Sequence, residues 1–179
     1  KFIMLSAVWL VVAPYRFILP LLPRRDTHDW QRERRDIIER AEWFCERIIV
    51  EPKALLDSMP KMLGRHYGGE WAIYSCAMLS AALANISRIY PEERERAIKR
   101  ISSLVDIVLS PELREYDTHW FREDALSSLD GDKSHMTYLS LLAWMITNYM
   151  QAGGDGKYDD WLHRCCEAMH RRMLKREDL

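Results

Sequence analysis

The chain has 179 residues, enough for one domain with its own core, and 48% hydrophobic with 30% charged residues is the composition of an ordered globular protein. Lys and Arg number 26 against 27 Asp and Glu, so no global basic field recommends nucleic acid as a partner. Cys45, Cys76, Cys165 and Cys166 have no metal-ligand spacing, and the vicinal pair is awkward for a disulfide; free thiols, mostly in the core, are expected.

Residues 2–23 form an apolar run broken only by Pro14, Arg16 and Pro20. At about 1.5 Å per residue, such a run just crosses a hydrocarbon core of roughly 30 Å. It predicts a transmembrane or signal-anchor helix over 1–23 and a membrane-associated protein. A helix buried in the domain and a cleaved signal peptide are the alternatives. Arg24, Arg25, Arg32, Arg34 and Arg35 follow and would keep that flank cytoplasmic, although the side of the membrane stays open. Because the chain opens at Lys1 and stops just after a basic helix end, 24–179 is expected to be the N-terminal portion of a larger domain.

From Thr27, apolar residues recur at Trp30, Ile37, Ile38, Ala41, Phe44, Cys45, Ile48 and Ile49, the spacing of an amphipathic helix that Pro52 ends. A short helical piece over 54–63 should be closed by Gly64, Gly68 and Gly69. Residues 70–89 are apolar on nearly every side and predict a helix packed on more than one face. Pro91 starts an amphipathic helix with acidic residues in its first turn and apolar ones at Ala97, Ile98, Ile101, Leu104, Val105 and Val108. Residues 110–133 read as a long connection, and connections of that length in compact domains are usually functional. Residues 134–150 predict a second helix apolar all round, and 159–174 a last amphipathic one.

The fold class is therefore all-α, with outer and inner helices alternating in αα-hairpins. Trp71 and Tyr74 open one inner helix with the spacing by which His135 and Tyr138 open the next. That alternation is what an α/α barrel, or toroid, requires; a plain helical bundle is the alternative.

In a barrel, the first turns of the inner helices and the loops before them converge on a central funnel. His135 and Tyr138 would share one face there, with the helix dipole favouring a neutral imidazole that accepts a proton. Tyr116, Asp117, His119, Trp120, Phe121 and Asp124 combine aromatic walls with carboxylates, the composition of a pocket for an apolar or sugar-like molecule. Glu70, Trp71 and Tyr74 open the other inner helix. The alternatives are structural: a capping or core histidine, a loop that tucks its aromatics into the core, and a glutamate that merely suits a helix N-terminus. No GxGxxG, Walker A loop, HExxH or CxxC occurs, so no metal or cofactor is expected.

Four segments, IYSCAMLSAALANI, HWFREDALSSL, SHMTYLSLLAWMITNY and GDGKYDDWLHRCCEAM, together resemble the linalool dehydratase-isomerase family in order and approximate spacing. The stretch over which they are spread, from Tyr74 to the chain's end, is somewhat more than half of the chain. The resemblance implies an α/α barrel with a cofactor-free acid/base site that dehydrates or hydrates an alcohol and isomerises an allylic one. It places the family's barrel histidine at His135 and matches WFREDAL to a W-G-x-D-P-[LI] box, from which Arg122 and Ala125 depart. The family's cysteine pair would fall after Leu179, so Cys165 and Cys166 do not match it.

Three functions compete. The first is a lyase/isomerase in which His135 is the acid/base group, Tyr138 its orienter or second relay, and Asp124 a substrate or histidine partner. The second is a carbohydrate-active toroid hydrolase, lyase or epimerase, with Trp71, Tyr74, Trp120 and Tyr138 stacking on sugar, Glu70 and Asp124 as the carboxylate pair, and His119 as a further substrate contact. The third is a membrane-anchored helical binding domain without catalysis. A small-molecule substrate, alcohol or saccharide, is the expected partner, and a barrel seam left open would favour a homo-oligomer.

Overall fold

A computed structural model describes residues 29–58 and 64–175. Contacts divide the chain into two units, 1–36 and 37–179. Of the first, only the opening of one helix is described, and the membrane-anchor expectation for 1–23 lies outside the described residues. All that follows concerns the second unit.

Among the described residues every regular element is helical. The order is α1 (Trp30–Val50), α2 (Pro52–Ser58), α3 (Gly64–Ile89), a 3-10 turn (Pro91–Glu93), α4 (Arg94–Val108), α5 (Pro111–Phe121), α6 (Met136–Ala152), a second 3-10 turn (Gly156–Tyr158) and α7 (Asp159–Leu174). The all-α class therefore stands.

The core follows from helical spacing. On α4, Ile101, Leu104, Val105 and Val108 are wholly buried, and they meet Leu113 of α5 and Leu139, Leu142, Met145 and Ile146 of α6. Each such side chain stabilises the fold by roughly 1.5–3 kcal/mol relative to an exposed one. Helices α3 and α6 pack on each other, α4 and α5 lie against α3, and α7 lies against α6. Polar ties cross this core as well: the Asn148 amide on α6 donates to Ser80 Oγ on α3 at 2.9 Å, and Ser80 donates to the Ala77 carbonyl at 2.7 Å. At the far end Gly153, with φ at +97°, takes the left-handed conformation that ends α6.

Three expectations need correction. The connection over 110–133 contains α5, because Pro111 sits at the first helical position, Glu112 suits the N-terminal dipole, and Leu113, Tyr116 and Asp117 turn inward on one face. The irregular stretch is only 122–135. Second, α3 begins at Gly64 rather than at residue 70, so Gly68 and Gly69 lie inside a helix that was expected to start after them. Third, α3 is not buried all round: Tyr67, Trp71, Tyr74 and Met78 form an exposed stripe, whereas His135 and Tyr138 are wholly buried. The two inner-helix openings therefore do different things.

Cys45, Cys76 and Cys165 are buried free thiols, and Cys166 is exposed. Burial pushes the Cys45 thiol up to about 11 and the Cys165 thiol up to about 12, which suits packing and not nucleophilic chemistry. Among the described residues, His66–Ile89 is long and apolar enough to cross a membrane, and half of that stretch is buried within the domain.

Candidate active site between α3 and α5

His135 does not open α6; it is the residue just before it, with φ 44° and ψ 17°. A left-handed non-glycine residue costs of order 1–3 kcal/mol and persists only where its surroundings impose it. Here they do. The ring is wholly buried, its Nδ1 lies 2.5 Å from Asp117 Oδ2, and its Nε2 lies 3.2 Å from Glu123 Oε1. Both neighbours are carboxylates that accept, so both nitrogens donate only when the ring carries both protons. Phe121 covers the ring, with centroids 4.4 Å apart.

The loop over 122–135 is folded back onto α5 by the same groups. Lys133 Nζ donates to the Phe121 carbonyl at 2.5 Å, at the C-terminus of α5, and pairs with Glu123 at 3.2 Å. The His135 hydrogen bond, then Lys133, hold the Glu123 carboxyl below its ordinary range. From α7, Arg172 is 4% exposed and spends its guanidinium on the carbonyls of Ser128 (3.0 Å), Gly131 (3.2 Å), Leu129 (3.3 Å) and Ser134 (3.3 Å). Backbone groups that no helix satisfies are thereby paired.

Asp124 works within this loop. Its Oδ1 accepts from the Leu126 and Ser127 N–H groups, both at 3.0 Å, and its Oδ2 pairs with Arg114, which also donates to the Leu109 carbonyl. Burial opposes ionisation of Asp124, but Arg114 and the two backbone donors outweigh it and hold the carboxyl below its usual range. Tyr138 is tied into the core: its hydroxyl donates to the Val108 carbonyl at 2.8 Å, and burial pushes its pKa well above the ordinary phenol value.

Beside the His135 cluster, between α3 and α5, lies a cleft of about 170 Å³ lined by His66 and Glu70 from α3, Tyr116, Asp117, Trp120 and Phe121 from α5, and Ser134, Met136 and Thr137. His66 stacks on Trp120, with centroids 4.4 Å apart and planes at 28°, and its Nε2 lies 4.0 Å from Glu70 one turn on. Two buried polar atoms of residues that line the cleft, His66 Nδ1 and the Tyr116 hydroxyl, have no hydrogen-bond partner among the described residues. Tyr116 is only 4% exposed. An unpaired buried polar group costs about 1–3 kcal/mol, so the packing of α3 against α5 outweighs that cost at two atoms. Burial, then the Asp117 and Glu70 charges, raise the Tyr116 pKa far above the ordinary value, so its hydroxyl keeps its proton. Gly69 makes room for this residue, since a Cβ there would lie 2.3 Å from the Tyr116 side chain.

Of the residues singled out in the sequence, Glu70, Tyr116, Asp117, Trp120 and Phe121 line the cleft. His135 lies behind it, joined through Asp117. Tyr138 and Asp124 hold the scaffold. Trp71 and Tyr74 sit on the exposed stripe of α3, with centroids 6.2 Å apart, and His119 is exposed on α5 away from the cleft. His66, Tyr116 as a polar group, and Asp117 as the partner of His135 were missed. The spacing of 113, 116, 117 and 120 is the signal that could have found the α5 set. Among the described residues, no group of His, Cys, Asp and Glu is arranged to hold a metal ion.

No protein-family model matches the sequence, and no curated protein or solved structure is significantly similar to it.

Proposed function

We propose that this domain carries out cofactor-independent acid/base chemistry on a small alcohol held in the cleft between α3 and α5, adding or removing water or shifting a double bond. One observation carries the reading: a small cleft lined by an imidazole, two carboxylate residues and a tyrosine whose buried hydroxyl has no partner among the described residues. The acid/base role that the family resemblance implies for His135 passes to His66, because the His135 nitrogens already face Asp117 and Glu123.

In the dehydration direction, Tyr116 hydrogen-bonds the substrate hydroxyl and protonated His66 gives a proton to it. The C–O bond breaks and water leaves; the adjacent C–H bond supplies the electron pair of the new double bond and its proton passes to Glu70. Glu70, 4.0 Å from His66, then returns that proton to the imidazole, so the site ends as it began. Hydration is the reverse. Proton transfer by a positioned side chain contributes about 10²–10⁴-fold to the rate. Asp117, anchored by His135, fixes the opposite wall.

The α/α barrel belongs to the same proposal. The packing of α3 on α6, with α4 against α3 and α7 against α6, supports it, since those are the two helices read as inner. Membrane attachment through 2–23 is proposed on composition alone.

The test is proton NMR of a library of small alcohols and alkenes incubated with the protein in heavy water. Exchange at the carbon adjacent to the hydroxyl-bearing carbon, or interconversion of alcohol and alkene, is expected, lost in Glu70→Gln and reduced about a hundredfold in His66→Gln. Turnover unaltered in both variants would overturn the assignment.

A further inference from the structure

We infer that the exposed stripe of α3 is the surface by which two copies of this chain pair as an antiparallel dimer. Helix α3 packs against α4, α5 and α6, yet one face of it stays bare. Apart from Gly64 and Arg88, its exposed positions among the described side chains are 67, 71, 74, 78, 82, 85 and 89, and all but Asn85 are apolar or aromatic. None of them lines the cleft between α3 and α5. Their successive spacings of 4, 3, 4, 4, 3 and 4 are those of a helix–helix seam, and they read the same from either end. A second copy turned about Met78 and laid antiparallel therefore sets the stripe against itself, the self-complementary condition that a two-fold interface must meet.

The side chains match across that axis as well as the spacing does. Tyr67 falls opposite Ile89 of the second copy, Trp71 opposite Asn85, Tyr74 opposite Ala82, and Met78 opposite Met78. Bulky rings thus meet small or aliphatic partners. The Trp71 indole N–H can donate to the Asn85 side-chain oxygen across the axis, and Arg88, which holds that Asn85 oxygen at 3.2 Å, comes to the rings of Tyr67 and Trp71. One polar position in such a seam fixes its register. Beside the stripe a groove of about 630 Å³ lies between Met78 and Ala82 of α3, Trp43 and Phe44 of α1, and Leu55 of α2. The Tyr74 ring of the second copy, arriving opposite Ala82, enters it. The five half-exposed rings of stripe and groove, with Met78 and Ile89, offer roughly 600–800 Å² per chain. That is more than a typical monomer exposes in one patch and reaches the roughly 800 Å² per partner of a stable interface. A lipid surface would cover the rings but leave Asn85 and Arg88 without partners.

The test is disulfide cross-linking of the whole chain in a mild neutral detergent, with micelles in excess over chains. Cys45, Cys76 and Cys165 are buried, so replacing Cys166 with serine leaves the introduced thiol as the accessible one among the described residues. Met78→Cys, at the axis, is expected to give a covalent dimer on mild oxidation. Asn85→Cys alone should not, because a rise of about 1.5 Å per residue sets the two copies of that position about 20 Å apart. A mixture of Trp71→Cys and Asn85→Cys chains should cross-link. Met78→Glu, at a position 62% exposed and so safe for the fold, sets two carboxylates face to face and should weaken association at least about tenfold in sedimentation velocity, with the circular dichroism unaltered. No cross-link at Met78, cross-linking of Asn85→Cys alone as strong as that of Met78→Cys, or unchanged association in a folded Met78→Glu protein each overturns the inference. A chain that stays monomeric and floats with phosphatidylcholine vesicles only while Met78 is intact gives the stripe to lipid and overturns it as well.

Discussion

Replacing His135 with alanine tests whether this histidine holds the structure or performs chemistry. Asp117 is 2% exposed, and His135 Nδ1 lies 2.5 Å from its carboxylate. Removing one member of a buried pair strands the other charge, at about 3–5 kcal/mol. Alanine tolerates the φ of 44° no better than histidine does, so relief of backbone strain returns little. For a chain of this size each kcal/mol lowers Tm by roughly 2–4 °C, so a fall of about 6–20 °C is expected, read by circular dichroism and by urea unfolding. Asp117→Asn leaves an acceptor for the ring without the buried charge and should cost less. The double variant, with no stranded carboxylate, should be more stable than the sum of the two single losses implies, by about 0.5–3 kcal/mol. A His135→Ala protein that keeps its stability and loses its activity would refute this reasoning and return the catalytic role to His135.

Tyr138→Phe removes a buried hydrogen bond to the Val108 carbonyl at 2.8 Å and should cost about 1–3 kcal/mol in urea unfolding while leaving turnover of the folded protein unchanged. Gly69→Ala puts a methyl 2.3 Å from Tyr116 and should destabilise by about 1–3 kcal/mol, with weaker ligand binding in the residue that stays folded. Glu123, Asp124 and Asp132 all have carboxyl pKa values held below their ordinary values of 4.5, 3.8 and 3.8. A depressed folded pKa contributes stability that is complete above the unfolded value and is lost as pH falls through the folded one. Amide exchange over 122–135 should therefore quicken below about pH 4, ahead of the core of α6; equal protection there would count against the loop being held by these carboxylates.

The helices with strong apolar spacing were legible. Residues 97, 101, 104, 105 and 108 of α4 are all buried, as the periodicity requires. What the sequence hid was α5, because its inward face mixes Leu113 and Tyr116 with Asp117, and a carboxylate on the buried side of a helix breaks any hydrophobic count. Asp117 is tolerated there only because His135, 18 positions later, meets it. No local pattern contains that pairing. The left-handed backbone at His135 was equally invisible, since histidine gives no turn signal of the kind glycine does. Asp124 was misread for the opposite reason: an acid beside aromatics looks like a pocket residue, yet its partners are the backbone of its own turn and Arg114.

Gly69 shows how the hidden helix and the hidden site have one cause. Two successive glycines just before an apolar run signal a turn, and glycine inside a helix costs about 1 kcal/mol relative to alanine, so the rule that ended the helix there was sound. The helix continues through them because a bare backbone at that turn lets the Tyr116 ring lie directly on α3, where a Cβ would overlap it. His66 and Glu70, one turn apart on α3, can face α5 only if the helix already exists at 66. The glycine that weakens α3 locally therefore allows the close approach of α3 to α5, and that approach brings imidazole, carboxylates and hydroxyl to one cleft. A protein built only for stability would place alanine at 69 and a smaller partner at 116; the pairing of glycine with a buried tyrosine whose hydroxyl has no partner among the described residues is what the proposed site accounts for.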